Sequence, residues 1–327
     1  MKSILISIMK IVGIIIIVII VLLFVLTIVN SILTISEKEK YINVGKYAII
    51  DGKRINIYSK VNDNKKETII LLSGYGNASP VLDFMPLTNE LSKKYNVAIV
   101  EYFGYGWSDK TDKERTSKNI IEETRAALKQ CGINPPYILM PHSISGIYSL
   151  YYANKYPEEV KAIIGIDPSV PAQMYYVDLT KKRSKLEKLV TLTGIVRAIT
   201  KIVPSIAQSN SLEGVYSNNY LNLIRILYCW NNSNESLINE YNNMLKNMEE
   251  TENYKFPSNL PVLFFLSKQS INVDTEIGKN WIKIHEDLLS NISYKKITIL
   301  DGSHNLHWTE FKQISDETYQ FLNRNDR

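Results

Sequence analysis

The sequence predicts an α/β protein with a mostly parallel central sheet, a helical cap inserted between two strands, and one transmembrane helix at the N-terminus. Three observations support this prediction. The first 40 residues contain a long, uncharged apolar segment. Beyond it, short and continuously apolar runs alternate with helical patterns, as is typical of a parallel sheet covered on both faces. The alternation is interrupted by one stretch, residues 171–256, that has helical patterns only.

The N-terminal segment, residues 1–40, is predicted to anchor the chain in a membrane. No charged residue occurs from Ile11 to Ser36, and these 26 residues would span about 39 Å as a helix, more than the ~30 Å hydrocarbon core. A cleaved signal peptide, the alternative, has an apolar region of about 7–15 residues and a small-residue cleavage site, which Ser31–Ser36 lacks. We therefore expect a single-pass anchor that is not cleaved.

Two opposing signals bear on the side of the membrane on which the following domain lies. Basic residues are more numerous after the apolar segment than before it, which favours a cytoplasmic domain. A short basic tail before an N-terminal anchor, however, resembles signal-anchors that place the following domain outside, and long domains translocate largely regardless of charge. We expect an extracytoplasmic domain.

Composition and charge exclude several classes of function. Of the 327 residues, 45% are hydrophobic and 22% are charged, proportions typical of a folded protein. Lysine and arginine number 38 against 33 acids, an excess too small and too scattered for a nucleic-acid partner. Two cysteines and four histidines are too few for a disulfide framework or a Cys- or His-rich metal cluster. We predict no cofactor and no metal.

The core of the domain is predicted to occupy residues 41–170 and 257–327. Val44–Ile50 and Arg54–Ser59 flank the turn dipeptide Asp51-Gly52 and are predicted to form a hairpin. Lys60–Lys66 has the composition of a polar loop. Six apolar runs are the remaining predicted strands: Thr68–Ser73, Val97–Tyr102, Tyr137–Met140, Ala162–Ile166, Val262–Leu266 and Lys296–Leu300.

Residues 171–256 are predicted to form the cap. Five of their apolar residues recur at spacings of three and four, which predicts one amphipathic helix: Leu189, Leu192, Val196, Ile199 and Val203. An insertion of about 85 residues between two strands would cover the carboxyl edge of the sheet, where ligands bind in open α/β folds. The basic run Lys181–Lys185 is predicted to be a solvated helix face, with an anionic membrane surface as the alternative partner.

A serine occupies the turn between a predicted strand and a predicted helix. In Tyr137–Tyr148 this turn lies at Ser143, where a hydroxyl would stand at the sheet edge and the next N–H would point to a developing oxyanion. The small residues usual two positions either side are here Pro141 and Ser145, with Gly146 one further on. A helix N-cap is the alternative role for the serine.

Four segments, in this order, resemble the motifs of the α/β-hydrolase fold family, and the resemblance runs from about residue 45 to the end. Leu71–Gly76 resembles the H-G-x-G oxyanion loop, with Ser73 in place of the histidine. Phe103–Asp109 resembles the R-G-x-G-x-S-D loop, Pro141–Gly146 the nucleophile elbow, and Gly302–His307 the late G-x-H loop. Four motifs in the order of the family identify the fold far more specifically than any single one of these motifs does.

The resemblance implies roles for the serine and for two of the histidines. Ser143 would be the nucleophile, and His304, directly after the G-x pair, would be the base that takes its proton. His307, three residues on, is the rival base. His142 is expected to pack beside the nucleophile, and His285 to lie on a helix surface.

The resemblance also implies an oxyanion hole and suggests two pocket residues. The backbone N–H groups of Tyr75 and Ile144 would donate to the oxyanion. Trp107 and Tyr102 are candidate substrate-binding residues, with ordinary packing as the alternative for each.

The acid of the triad has two candidates. The strand after the cap puts Ser270 where the family usually has a carboxylate, and a serine cannot fill that role. Asp167 resembles the acid of a lipase subgroup in which this residue has moved to the strand after the elbow helix, and Asp274 is the second candidate. Both keep the chain order serine, acid, histidine. A turn-capping role is the alternative for Asp167.

A serine nucleophile on this fold implies an enzyme that cleaves carboxylic esters, lipid-like ones included, through an acyl-enzyme intermediate. Epoxide hydrolases and dehalogenases of this family use an aspartate at the elbow. Two alternatives remain: an aminopeptidase of the proline-iminopeptidase type, which needs an acidic subsite for the substrate's amine, and a non-catalytic binding protein tethered to the membrane. The expected partners are a small-molecule substrate and the membrane.

Overall fold

The computed structural model describes residues 2–61, 67–184, 186–207 and 215–323. Most of the polar loop predicted at Lys60–Lys66 and Lys185 of the basic run therefore lie outside the described residues.

Eight strands form one sheet in the order β1-β2-β4-β3-β5-β6-β7-β8. Strand β2 is antiparallel to both of its neighbours, and the other neighbouring pairs are parallel. The predicted hairpin and the alternation of strands with helices are thus confirmed. The strands are β1 Lys46–Ile50, β2 Lys53–Lys60, β3 Thr68–Leu72, β4 Asn96–Glu101, β5 Tyr137–Pro141, β6 Val160–Ile166, β7 Val262–Ser267 and β8 Lys295–Leu300.

Twelve α-helices are present in the described ranges. They are α1 Lys2–Lys40, α2 Pro80–Asp83, α3 Met85–Leu91, α4 Ser117–Gln130, α5 Ser145–Lys155, α6 Glu187–Leu192, α7 Ile195–Ile202, α8 Asn218–Asn231, α9 Glu235–Thr251, α10 Lys268–Asn272, α11 Glu276–Leu288 and α12 Phe311–Asn323. The same ranges also contain four short 3-10 turns, at Pro157–Glu159, Pro171–Tyr175, Pro204–Ile206 and Leu306–Trp308.

The core is divided by the sheet into two apolar layers. Successive side chains of a strand point to opposite faces, so Ile70 and Leu72 pack in one layer and Ile69 and Leu71 in the other. Helices α4, α5 and α11 cover the first layer, and α2, α3 and α12 the second. Strands β4, β5 and β7 are buried along their whole length, which explains their continuously apolar sequences.

Helices α6 to α9 lie between β6 and β7, over the stretch predicted to be the cap. The prediction of one amphipathic helix through Leu189–Val203 is wrong, because two helices, α6 and α7, occupy this stretch. Gly194, in the left-handed conformation at φ 74°, ends the first helix and begins the second. Of the five residues in the predicted stripe, only Val196 is buried; Leu189, Leu192, Ile199 and Val203 are exposed.

Helix α1 is long and apolar enough to cross a membrane, by length and composition. Its residues from Ile4 to Val29 are largely exposed. Towards its C-terminal end, one face becomes partly buried at helical spacing, at Leu23, Leu26, Thr27, Asn30, Thr34 and Glu37. This face meets the cap: the side chain of Arg197 in α7 donates to Asn30 Oδ1 at 2.9 Å and to Glu37 Oε1 at 2.5 Å.

Candidate active site

Ser143 occupies the sharp turn between β5 and α5. Its φ of 53° is in the left-handed region, which is uncommon for a residue with a side chain and marks local strain. Backbone hydrogen bonds hold the turn: the Ser143 carbonyl accepts from Ser169 N at 2.7 Å and from Gly146 N at 2.8 Å. The side chain of Ser143 is partly exposed at the carboxyl edge of the sheet.

The neighbours of Ser143 show why the usual glycine pattern can shift by one residue. A Cβ on Gly146 would overlap the Ser169 carbonyl oxygen. Helix α5 therefore approaches the loop after β6 closely at Gly146, one residue beyond the usual position. Ser145 tolerates its buried position because its hydroxyl donates to the Ser73 carbonyl at 2.5 Å and contacts Tyr102 Oη at 3.0 Å. The departure at Ser145 is therefore accommodated by hydrogen bonds.

His304 is paired with a buried carboxylate. Its Nδ1 lies 2.6 Å from Oδ2 of Asp167, whose side chain is fully buried, while 40% of the His304 side chain is exposed. An ionised carboxylate only accepts hydrogen bonds, so Nδ1 carries the proton and the lone pair of the neutral ring lies on Nε2. This is the tautomer that a general base requires.

Asp167 receives three further hydrogen bonds. Ser270 Oγ donates to Oδ2 at 2.5 Å, and Ser267 N and Trp281 Nε1 donate to Oδ1 at 3.0 and 2.9 Å. Burial by itself would raise the pKa of Asp167, but the hydrogen bond and charge of His304 and the hydrogen bonds from Ser270 and Ser267 lower this pKa below its ordinary value. The carboxylate therefore stays ionised at neutral pH.

These contacts bear on the two candidate acids. Ser270, at the position where a carboxylate was expected, instead donates its hydroxyl to Asp167. Asp274 is not paired with His304: its side chain is 99% exposed, and it lies 4.0 Å from Lys279 Nζ. Sequence reasoning missed Trp281 and Ser267 as partners of Asp167, because contacts between separate elements leave no local pattern.

Ser143 and His304 are not yet hydrogen-bonded to each other. Within the described residues, neither Ser143 Oγ nor His304 Nε2 has a hydrogen-bond partner. Serine-to-histidine contacts are often long in unliganded sites and tighten when a substrate binds.

His142 and His307 flank His304. His142 is buried, and its Nε2 donates to the His304 carbonyl at 3.1 Å. Burial, followed by the charges of His304 and His307, lowers the pKa of His142 well below its usual value, so its ring stays neutral. His307 is fully buried, and its Nε2 lies 2.7 Å from Asp83 Oδ2. Each candidate base thus has its own carboxylate.

The prediction that His285 lies on the surface is wrong. It lies on the buried face of α11, and its two ring nitrogens contact the carbonyls of Trp281 and Pro168 at 2.6 and 2.8 Å. Because Pro168 follows Asp167 directly, His285 supports the backbone that carries the carboxylate.

The loop Ser73–Asn77 passes directly beside the serine. A Cβ on Gly74 would lie 2.9 Å from Ser143 Cβ and 2.8 Å from His142 Nδ1, so only glycine permits this approach. The N–H groups of Tyr75 and Ile144 donate to no acceptor in the part of the chain described. Two unpaired N–H groups next to a serine are the donors that an oxyanion hole requires.

The Tyr75 side chain is bound to the cap. Its hydroxyl donates to the Leu237 carbonyl at 3.1 Å and accepts from Arg183 Nη1 at 2.8 Å. Burial raises the pKa of Tyr75 to about 12, so the phenol stays protonated.

A cavity of about 500 Å³ opens beside this site, between the sheet edge and the cap. The core contributes Gly74, Tyr75 and His142 to its wall, and the cap contributes Ile206 and Tyr228 among others. Neither Trp107 nor Tyr102 lines this cavity, contrary to their prediction as substrate-binding residues.

The side chains of Trp107 and Tyr102 instead have packing roles. Tyr102 is buried with its ring against Tyr105 and Tyr148. Trp107 Nε1 donates to the Tyr41 carbonyl at 3.1 Å, joining the core to the chain that leaves α1.

The loop Phe103–Asp109 is held by a buried carboxylate, Glu101. The carboxylate accepts from Trp107 N at 2.7 Å and from Asn56 Nδ2 at 3.0 Å. A side chain on Gly106, at φ 49°, would overlap Glu101. Burial raises the pKa of Glu101 to about 7, against the lowering effect of these hydrogen bonds.

No group of three or more His, Cys, Asp or Glu side chains able to hold a metal ion comes together in the described ranges.

Comparison with known proteins agrees with this architecture. A family model for the alpha/beta hydrolase fold matches residues 67–190. The chain is 31% identical over 299 residues to the uncharacterized protein YbdG of Bacillus subtilis, covering 88% of this chain and 89% of that protein. A proline iminopeptidase from Saccharolobus solfataricus is 32% identical over 136 residues, covering 40% of this chain and 43% of that protein.

A solved structure shares the fold. An epoxide hydrolase from Vigna radiata matches with a TM-score of 0.66 at 17% identity, over 85% of this chain and 97% of that one. With a relative that is similar over most of the chain, a matching family model and a common fold, this protein belongs to the α/β-hydrolase fold family.

Proposed function

We propose that the protein is a membrane-anchored serine hydrolase that cleaves carboxylic esters. One observation carries the proposal: His304 Nδ1 lies 2.6 Å from the buried Asp167 carboxylate, at the sheet edge that also holds Ser143 in a strained turn. The free Nε2 of His304 and the two unpaired N–H groups beside Ser143 supply the other parts of an acyl-transfer site.

The reaction follows from these roles. Ser143 Oγ attacks the ester carbonyl while His304 Nε2 takes the hydroxyl proton, and the N–H groups of Tyr75 and Ile144 stabilise the oxyanion. His304 then protonates the departing alcohol, which leaves an acyl group on Ser143. Water, deprotonated by His304, releases the acid. Asp167 holds the tautomer and stabilises the imidazolium, and it keeps its own negative charge throughout.

The anchor is the second part of the proposal. Helix α1 has the length and apolarity of a membrane span. Its contacts through Asn30 and Glu37 with the cap support its retention in the mature protein, since cleavage after Ser36 would remove Asn30. We place the hydrolase domain on the extracytoplasmic side. Protease added outside intact cells should digest the domain; full protection, with digestion only after lysis, would place it inside.

An aminopeptidase is the second candidate, favoured by the proline iminopeptidase relative. Such an enzyme needs a carboxylate free to bind the substrate's amine. Asp83, in the cavity wall, already accepts from His307 and Trp308. Glu240 of α9, which is fully buried, accepts from Tyr105 and Tyr148. We therefore expect esters to be cleaved far faster than aminoacyl amides, a ratio measured directly with matched chromogenic substrates.

Labelling by a fluorophosphonate probe tests the catalytic proposal. Full-length protein in membranes should be labelled, and Ser143→Ala and His304→Ala should abolish labelling. Asp167→Asn should slow it strongly, whereas the matched control Asp274→Asn, at an exposed aspartate, should label like wild type. If folded wild type stays unlabelled, the protein is not a serine hydrolase, and the non-catalytic binding function takes its place.

A further inference from the structure

The outer surface of the cap is apolar. Eight of its apolar residues are between 41% and 82% exposed, and we call them the outer cap surface: Leu186, Leu189, Val190, Leu192, Ile199, Ile202, Val203 and Ile206. A helix at the surface of a soluble domain turns its apolar stripe inward, and large exposed apolar patches mark binding sites. Helices α6 and α7 do the opposite, with Val196 and Thr200 buried and Ile199 and Ile202 exposed.

This surface is attached to the membrane anchor. Asn30 of α1 donates to the carbonyls of Thr191 and Leu192, each at 3.2 Å. At the corner between α6 and α7, a Cβ on Gly194 would lie 2.8 Å from Asn30 Cβ and 3.4 Å from the Leu26 carbonyl. The corner therefore rests directly on the helix that is proposed to cross the bilayer.

An ion pair fixes the same contact. Arg197 donates to both carboxylate oxygens of Glu37, at 2.5 and 2.9 Å, and to Thr34 Oγ1 at 3.1 Å. Trp230 Nε1, from α8, also donates to Glu37, at 2.9 Å. Both partners of the ion pair are only 18% exposed, so the cap has one defined position along α1.

The length of the anchor sets the depth of the cap. Nineteen uncharged residues separate Lys10 from Asn30, and as a helix they extend about 28 Å, close to the ~30 Å hydrocarbon thickness. With Lys10 at the headgroup boundary of one leaflet, Asn30 lies at the headgroup boundary of the other. The corner at Gly194, which touches both Leu26 and Asn30, lies at this boundary too.

Charge on the same helices is suited to a membrane surface. Lys188 in α6 and Lys201 in α7 have no acidic partner within the described residues, whereas the acid Glu187 is already paired with Arg183. Exposed apolar residues flanked by lysines are typical of helices that lie in the interface of an anionic leaflet.

The outer cap surface also reaches the cavity of the active site. Ile206 is 48% exposed and belongs to the cavity wall, together with Ser205 and Ala207. Across the cavity lie Gly74 and Tyr75 of the proposed oxyanion loop. An acyl chain entering from the leaflet past Ile206 would therefore reach Gly74, where a Cβ would lie 2.9 Å from Ser143 Cβ.

The geometry points to a lipid-facing cap: the outer cap surface lies in the headgroup–acyl boundary of one leaflet, and the substrate is an ester-bearing lipid of that leaflet. The inference rests on the proposed function. Hydrolysis breaks the acyl C–O bond of the lipid; water supplies the hydroxyl of the released acid and the hydrogen of the released alcohol.

The position of the surface can be measured without catalysis. The background is the full-length chain with both native cysteines replaced, by Cys131→Ser and Cys229→Ala. A nitroxide is attached to a new cysteine, either at Ile202→Cys or, as the control, at Ile49→Cys on edge strand β1. In nanodiscs of phosphatidylethanolamine and phosphatidylglycerol, the label at 202 should collide with oxygen in preference to a water-soluble nickel complex, and the label at 49 should show the reverse. Water exposure at both positions would overturn the inference.

The substrate class can be tested by placing negative charge on the outer cap surface and comparing hydrolysis of a lipid with that of a water-soluble ester. Ile199→Glu with Ile202→Glu should lower hydrolysis of an ester lipid in vesicles of the same composition at least tenfold, and leave turnover of a water-soluble short-chain ester within twofold. The control Ile49→Glu, at an exposed isoleucine of edge strand β1, should change neither rate. Equal rates on vesicle lipid for wild type and the double variant would refute the lipid-facing cap.

The two tests separate this inference from the function on which it rests. If wild type cleaves neither ester and takes no fluorophosphonate, the proposed function fails and the substrate class fails with it. The nitroxide depths would then still decide whether the cap contacts the membrane.

Discussion

Replacing Asp167 by asparagine tests the active site most sharply. Oδ1 accepts from Ser267 N and Trp281 Nε1, and Oδ2 accepts from His304 and Ser270. An asparagine keeps one acceptor oxygen. Because Ser267 N and Trp281 Nε1 both donate at the Oδ1 position, the amide oxygen stays at that position. Its NH₂ group must then face His304 Nδ1.

The consequence is an inverted tautomer. An NH₂ donor 2.6 Å from Nδ1 requires a lone pair on that nitrogen, so the proton moves to Nε2 and the ring can no longer accept the serine proton. A wrong tautomer in a triad of this type costs about 10⁴ in kcat. That factor corresponds to about 5.5 kcal/mol of activation free energy.

The assay is hydrolysis of a water-soluble short-chain ester by the full-length protein at pH 7.5. Asp167→Asn should lower kcat about 10⁴-fold with little change in KM, because the substrate does not contact the carboxylate. Asp274→Asn should match wild type, since its side chain is 99% exposed. An Asp167→Asn enzyme with more than a tenth of wild-type kcat would refute the assignment of Asp167 as the acid.

Three further predictions follow from the structure. Gly74→Ala puts a methyl group 2.9 Å from Ser143 Cβ, displaces the oxyanion loop and should lower kcat by about 10²–10³ at nearly constant KM; unchanged kcat would place the oxyanion donors elsewhere. The folded pKa of Glu101 is raised to about 7, so its contribution to stability is complete below the unfolded pKa and is lost as pH rises through 7. Relative to Glu101→Gln, wild type should therefore lose about 3 kcal/mol of unfolding free energy between pH 4.5 and 7, measured by denaturant titration; a constant difference would contradict the raised pKa. Arg197→Ala leaves Glu37 partly buried without its cation and should increase amide hydrogen exchange in α6 and α7 while β5 stays protected; unchanged exchange would show that the ion pair does not hold the cap.

Several features of the site were predictable from local sequence. Ser143 and His304 each sit in a short motif whose geometry is set by a few neighbouring residues, and Gly74 is required by the approach of its own loop. The carboxylate that pairs with His304 was not predictable in this way. Asp167 and Asp274 both satisfied the chain order, and only the contacts of Asp167 with α11 and with His304 distinguish them.

Long-range packing also reversed some predictions. His285, in a polar helical stretch, is buried because its ring fits between two carbonyls from separate elements. Trp107 and Tyr102 pack in the core although they follow β4 at the edge where ligands bind.

The sequence by itself determined the order of strands and helices, the long apolar N-terminal helix and the serine turn, because hydrophobic periodicity and turn chemistry act over a few residues. The tertiary structure alone decided which carboxylate meets His304 and which face of the cap is buried. The stripe from Leu189 to Val203 has the periodicity of a core-facing helix, yet Gly194 breaks it and α1 holds it outward. Periodicity shows that a helix has an apolar face; what that face contacts depends on elements distant in the chain.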